Sequence, residues 1–175
     1  MLTRWDRVYG LGMAEFTREE VYEVAETSRK LMLTNLTGID LSCNKDDPDA
    51  PSLAGVNLGK AYLLQANLSG ADLRAANFIG SYLYEANLRD ADLQLADLVE
   101  ADLTGADLTG ADLRNADLRG TRYSFSTKWP EGFNPIAAGT VMIYDCEHCG
   151  ETIEVLATVC KHCGRDLPKL TITFP

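Results

Sequence analysis

The chain has 175 residues, 46% hydrophobic and 24% charged, with a net charge of −10 at pH 7. That length suits one domain, or a domain with a small module, and no stretch is long or apolar enough to span a membrane. The acidic balance argues against direct nucleic-acid binding, which needs excess Lys and Arg against phosphate.

The first residues, MLTRWDRVYGLGMAEF, carry charges at positions 4, 6 and 7 and lack the apolar run of a signal peptide. Met13 offers a second start, with residues 1–12 a non-native extension. Residues 16–31, FTREEVYEVAETSRKL, read as a helix: Thr17 and Glu20 are spaced as a capping box, Phe16 and Val21 as a hydrophobic staple, and Arg29 and Lys30 suit its negative end. Val21, Val24, Ser28 and Leu31 share one face, which is expected to cover the start of the next element of the chain.

From Ala61 to Gly120 the chain is a five-residue phrase: AYLLQ, ANLSG, ADLRA, ANFIG, SYLYE, ANLRD, ADLQL, ADLVE, ADLTG, ADLTG, ADLRN, ADLRG. PSLAG and VNLGK precede it and TRYSF comes after it. An earlier pair, TNLTG and IDLSC, is set off by NKDDPDA and lies two residues out of phase, so that acidic stretch is expected as a surface loop. A period of five fits neither helix nor strand. Within a phrase the small residue and the Leu or Phe are two apart, so both can face one side of an extended segment while the rest point out. Four such segments joined by tight corners would close a square coil, and coils would stack at about 4.8 Å.

The phrase A(D/N)LxG resembles the pentapeptide-repeat family over residues 34–123, and SFSTKWPEGFNPIAAG resembles an ending common there. The resemblance implies a mainly β fold, a right-handed quadrilateral β-helix with four phrases per coil, extended by an N-terminal capping helix (residues 1–33) and a C-terminal cap or linker (124–140). Core residues would then stack every twenty positions: Leu53, Leu73, Leu93, Leu113; Leu58, Phe78, Leu98, Leu118; Leu63, Leu83, Leu103, Tyr123; and Leu68, Leu88, Leu108. Gly relieves the corners, and Asp or Asn can bond local amides there. Columns such as Asp72, Asp92 and Asp112 place like charges together, to be screened by water. Tyr123, Phe125, Trp129 and Phe133 are expected as a lid over the last coil.

Residues 141–175 change character. Two CxHCG motifs carry Cys146, Cys149, Cys160 and Cys163, with ten residues between the pairs. Each CxxC turn presents two thiolates from one bend, and four soft ligands suit a tetrahedral ion. Gly150 and Gly164 help close the turns, and TIEVLA and LTITF read as strands. The segment resembles a small zinc ribbon, though its spacer is shorter than usual. The ligand set also suits iron; structural Zn(2+) is expected. Five cysteines, four of them so paired, favour a reducing, cytoplasmic setting over a disulfide framework. His148 and His162 are expected exposed, and Cys43 as an unpaired thiol beside the loop.

No nucleophile–base pair, phosphate loop or open metal site is evident, so the chain reads as a protein-binding scaffold, not an enzyme, its partner unnamed. The alternative, from the family, is a duplex-DNA mimic that occupies a topoisomerase. Residues 51–123 hold ten acidic and six basic side chains, which concentrates little charge on a short rod. Where Asn or Asp would stand, Tyr62 and Tyr82 point outward; Leu64 and Tyr84 join them, and Ile79 with Val99 form a pair on the next side. That apolar strip is the expected protein contact, including a homodimer contact.

Overall fold

The computed structural model describes residues 16–28, 30–43, 50–155 and 157–167. The expectations about residues 1–12 and Met13, loop residues 44–49, and the LTITF strand lie outside the described residues.

Helix α1 spans Arg18–Thr27. Thr17 Oγ1 accepts from the Glu20 N–H at 3.2 Å and the Glu20 carboxylate accepts from the Thr17 N–H at 3.0 Å, a reciprocal capping box. The helix is shorter than the sequence suggests: Ser28 is its C-cap, its last turn holds no basic residue, and its buried face is Val21, Tyr22, Val24 and Ala25. Lys30 already pairs in parallel with Asn57. Leu31 is fully buried in the solenoid, its N–H bonded to Asn57 O at 2.7 Å. Lys, Leu and Met suit a helix well, but the five-residue frame puts Leu31 inward and Leu33 at a corner with φ 59°. Pairing with the next coil prevails over one more helical turn.

From there the chain winds as a β-helix solenoid. Asn57 pairs with Asn77, Tyr62 with Tyr82, Asn67 with Asn87 and Asp72 with Asp92, each twenty residues on, so a coil holds four five-residue faces. Before the loop the step is longer: Asn35 pairs with Tyr62 and Asp40 with Asn67, 27 residues on. The seven extra residues are the acidic interruption, which leaves the coil frame intact. Inside, the Leu or Phe of each phrase from Leu53 to Leu108 is at most 1% exposed. Each such side chain contributes about 1.5–3 kcal/mol of burial.

The corners are turns. Ala61 N–H donates to Leu58 O at 3.0 Å, with Lys60 between them at φ 56°. The last residue of a phrase is left-handed even where it is not glycine, as at Gln65, Leu95 and Glu100. Next to each corner the Asx side chain bonds the amide two residues on, as Asn57 Oδ1 does from Gly59 at 3.0 Å and Asp97 Oδ1 from Val99 at 3.1 Å. The aspartate columns are not left to solvent screening alone. Arg74 lies 2.8 Å from Asp72 and 3.8 Å from Asp92, Arg114 pairs with Asp112, and Arg119 with Asp117.

At the far end Lys128 pairs with Asp107, a step of 21. A turn at Ser124–Thr127 absorbs the extra residue, closed by the Thr127 N–H on Ser124 O at 3.1 Å. That turn throws Phe125 outward, 63% exposed, so it is no part of the expected lid. Trp129 meets Tyr123 edge-on at 5.5 Å and stacks on Phe133 at 5.1 Å. Strands β1 (Arg122–Tyr123), β2 (Val141–Asp145) and β3 (Thr152–Glu154) form one sheet in the order β1-β2-β3. β2 runs parallel to β1, with Arg122 beside Val141, and antiparallel to β3. The sheet therefore crosses the expected 140/141 boundary without a break. Among the described residues no helix is long and apolar enough to cross a membrane.

Candidate metal centre and contact face

Two matching turns build the cysteine cluster. Gly150 N–H donates to Cys146 O at 2.8 Å and Gly164 N–H to Cys160 O at 2.8 Å. Gly150 and Gly164 have φ of 73° and 71°, a left-handed backbone that glycine adopts without a Cβ clash. The first turn hangs between β2 and β3; the second is closed by Cys160 N–H on Arg165 O at 2.9 Å. Cys146 and Cys160 are buried with Ile153 and Leu167, while Cys149 and Cys163 face outward.

The four Sγ atoms lie within 4.8 Å of one another. Cys146 and Cys163 are 3.9 Å apart, Cys149 and Cys160 3.7 Å. Sulfurs at about 2.3 Å from a tetrahedral ion would stand about 3.8 Å from each other, whereas a disulfide needs about 2.05 Å. All four are free thiols. The local field is divided. The Cys163 amide, against burial, helps pull the Cys160 thiol down to about 6. At Cys149 the Glu151 amide favours the thiolate, yet burial and the three neighbouring thiols push it up to about 12. The residues fit a metal ion, and with four protein ligands the site would be closed, structural in kind. His148 and His162 are exposed, and His148 Nδ1 lies 3.3 Å from an Arg165 nitrogen.

The module meets the rod through a second cluster of Tyr123, Met142 and Val155, flanked by Trp129 and Tyr144. Val155 N–H donates to Met142 O at 2.8 Å. The sequence expectations did not include this joint, though a signal existed: Val141 and Met142 come after Arg122 and Tyr123 at nearly the coil step.

On the rod, Tyr62 and Tyr82 stack with ring centres 4.9 Å apart and planes 9° from parallel. They are 45% and 40% exposed, and Tyr84 beside them 43%. Leu64 is half-buried. Ile79 is exposed and Val99 half-buried, on the neighbouring face. Tyrosine cannot supply the corner bond an Asx residue makes, so stacking replaces it. At the front of the rod Cys43 is half-buried, its Sγ 3.0 Å from the Tyr22 hydroxyl, whose ring lies under Arg18 at 5.4 Å.

The signature of pentapeptide repeats matches residues 52–90 and 81–120, in eight copies. The chain is 30% identical to a solved pentapeptide repeat protein from Nostoc Pcc 7120, over 71% of this chain and 92% of that one, with a TM-score of 0.32. The chain belongs to the pentapeptide-repeat family. It is also similar to Rfr23, a pentapeptide repeat protein from the cyanobacterium Cyanothece 51142, at 37% identity and a TM-score of 0.52, over 57% of this chain and 63% of that one. A third relative, from the Arabidopsis thaliana thylakoid lumen, is 24% identical over 66% of this chain and 75% of that one, with a TM-score of 0.43. No curated protein matches the chain. The four clustered cysteines lie outside the matched repeats of this pentapeptide-repeat protein.

Proposed function

We propose that this protein is a non-catalytic binding scaffold: a short solenoid, capped by α1, presents the tyrosine strip, and the module holds one structural Zn(2+) and adds a second surface. The observation that carries the reading is the exposed Tyr62–Tyr82 stack beside Tyr84, because contiguous exposed aromatics mark protein contacts. The strip, with Leu64 and the Ile79–Val99 pair at its margin, is the contact with a protein partner and with a second copy of the chain. Four thiolate ligands favour a reducing compartment such as the cytoplasm. The DNA-mimic alternative loses support from the arginines that pair with Asp72, Asp112 and Asp117 along the rod, because a duplex presents uncompensated charge.

The test is Tyr82→Ser with Tyr84→Ser. Light scattering should show the wild-type dimer mass falling to that of one chain, with β-type circular dichroism retained. An unchanged mass and unchanged partner recovery would remove the reading.

A further inference from the structure

Three faces of the last coil are continued by later chain. Tyr123 is succeeded by Met142 in the sheet, Asp107 by Lys128, and Gly120 N–H reaches Gly139 O at 2.9 Å. Among the described residues the fourth face, Ala111–Asn115, is not. One coil earlier this face is fully paired: Leu93 N–H donates to Asp112 O at 2.9 Å, Leu95 N–H to Arg114 O at 3.1 Å, and Ala91 O accepts from Asp112 N–H at 2.9 Å. Among the described residues the equivalent Leu113 N–H, Asn115 N–H and Ala111 C=O make no hydrogen bond to a further coil. Ala111 and Leu113 are also 7% and 8% exposed, against 0% for Ala91 and Leu93. The chain turns aside here, because Pro130 O takes the Phe133 N–H at 3.1 Å in a tight turn. A groove of about 600 Å³ is left between Gly110–Arg114 and Pro130–Phe133.

We propose that this groove is a docking site for an extended segment of a partner protein, which adds one parallel strand to the end of the solenoid. The recognising chemistry is already fixed by the rod. Two carbonyls of the incoming segment, two residues apart, accept from Leu113 and Asn115, and one of its amides donates to Ala111. An apolar side chain continues the Leu93–Leu113 column and packs against Phe133. Asp112 and Arg114 neutralise each other at the rim and Glu131 lines the other wall, so the occupant is a phrase free of acidic side chains, with a small residue two positions before a Leu. This site is separate from the tyrosine strip and does not depend on it.

The probe is the capped peptide Gly-Ala-Asn-Leu-Thr-Gly, added to the whole zinc-loaded protein and followed by amide NMR. Saturable shifts at Leu113 and Asn115, with hydrogen exchange there slowed about tenfold, are expected. A peptide with aspartate in place of its leucine, and one N-methylated at its asparagine, should lose both effects. No response at those two amides up to millimolar peptide, or equal responses to all three peptides, would overturn the proposal.

Discussion

In the rod, Leu98 lies between Phe78 and Leu118 with its N–H on Asp117 O at 2.8 Å, and phrase after phrase repeats that environment. In the C-terminal module the buried cluster around the sulfurs is Cys146, Ile153, Cys160 and Leu167. One region spreads its stability over repeated neighbours, in the manner of a one-dimensional stack. The other has little core of its own, and a metal held by its four cysteines would concentrate its stability in one cross-link, as in other small domains. The rod should therefore resist most outward changes and fail at an inward one, while the module should stand or fall with the metal proposed for it.

The largest effect expected is the loss of the metal. Metal ligation contributes about 10 kcal/mol or more to the folding of small zinc modules, so chelation, or Cys146→Ser with Cys149→Ser, should unfold β3 and both cysteine turns. Native mass spectrometry should show one zinc lost per chain, while the β-type circular dichroism of the coils persists. One cooperative melt of the whole chain on chelation would show that the shared sheet makes rod and module a single unit.

Next is Leu98→Asp. A buried unpaired charge costs several kcal/mol, enough to unfold the rod. Asp97→Lys removes the corner bond to Val99 and the attraction of Asp97 for Arg119, and should cost about 1 kcal/mol. Similar melting temperatures for the two variants would break the contrast between inner and outer positions.

A smaller effect is set by pH. The Arg74 guanidinium, with help from the Ser52 hydroxyl, holds the Asp72 carboxyl down to about 2 although burial pushes it up. An unfolded aspartate titrates near about 3.9. A depressed folded value means that this stabilisation is present above about pH 4 and is lost as pH falls toward about 2. Asp72→Asn should flatten that part of the stability curve, measured by urea melts at stepped pH. An unchanged acid limb would show that the pair contributes nothing.

The smallest is Leu95→Gly. Leu95 is 64% exposed with φ 60°. Relief of about 1–2 kcal/mol of left-handed strain, less the backbone entropy of a glycine, about 0.5–1 kcal/mol, should leave a gain of about 0.5 kcal/mol. Thermal melting should show a rise of about 1–2 °C.

The period made the rod's interior readable, because each inward Leu and each Asx corner comes from five-residue spacing alone. The two CxHCG motifs made the sulfur cluster readable for a similar reason, since each turn is local. What stayed hidden depended on contacts between distant segments. Lys30–Leu33 looks helical until Asn57 is known to lie beside it. The pairing of Arg74 with Asp72 needs two outward side chains to lean toward each other, which alternation does not report. Phe125 is apolar and was expected inward, but one extra residue in its turn reversed its direction. The joint of Tyr123 with Met142 and Val155 required knowing that the stack continues past its last regular phrase.

The switch from a step of 27 to one of twenty has a consequence for growth. A step seven residues longer leaves the pairing of the faces unchanged, while any change within the repeats must come in whole coils to keep every face aligned. The rod thus acts as a ruler with one graduation per coil, about 4.8 Å. Inserting or deleting four phrases would shift the helix at one end relative to the sulfur cluster at the other by a single graduation, leaving the chemistry of both untouched. The separation of the two ends is therefore a digital quantity, adjustable by gene duplication and insensitive to point mutation.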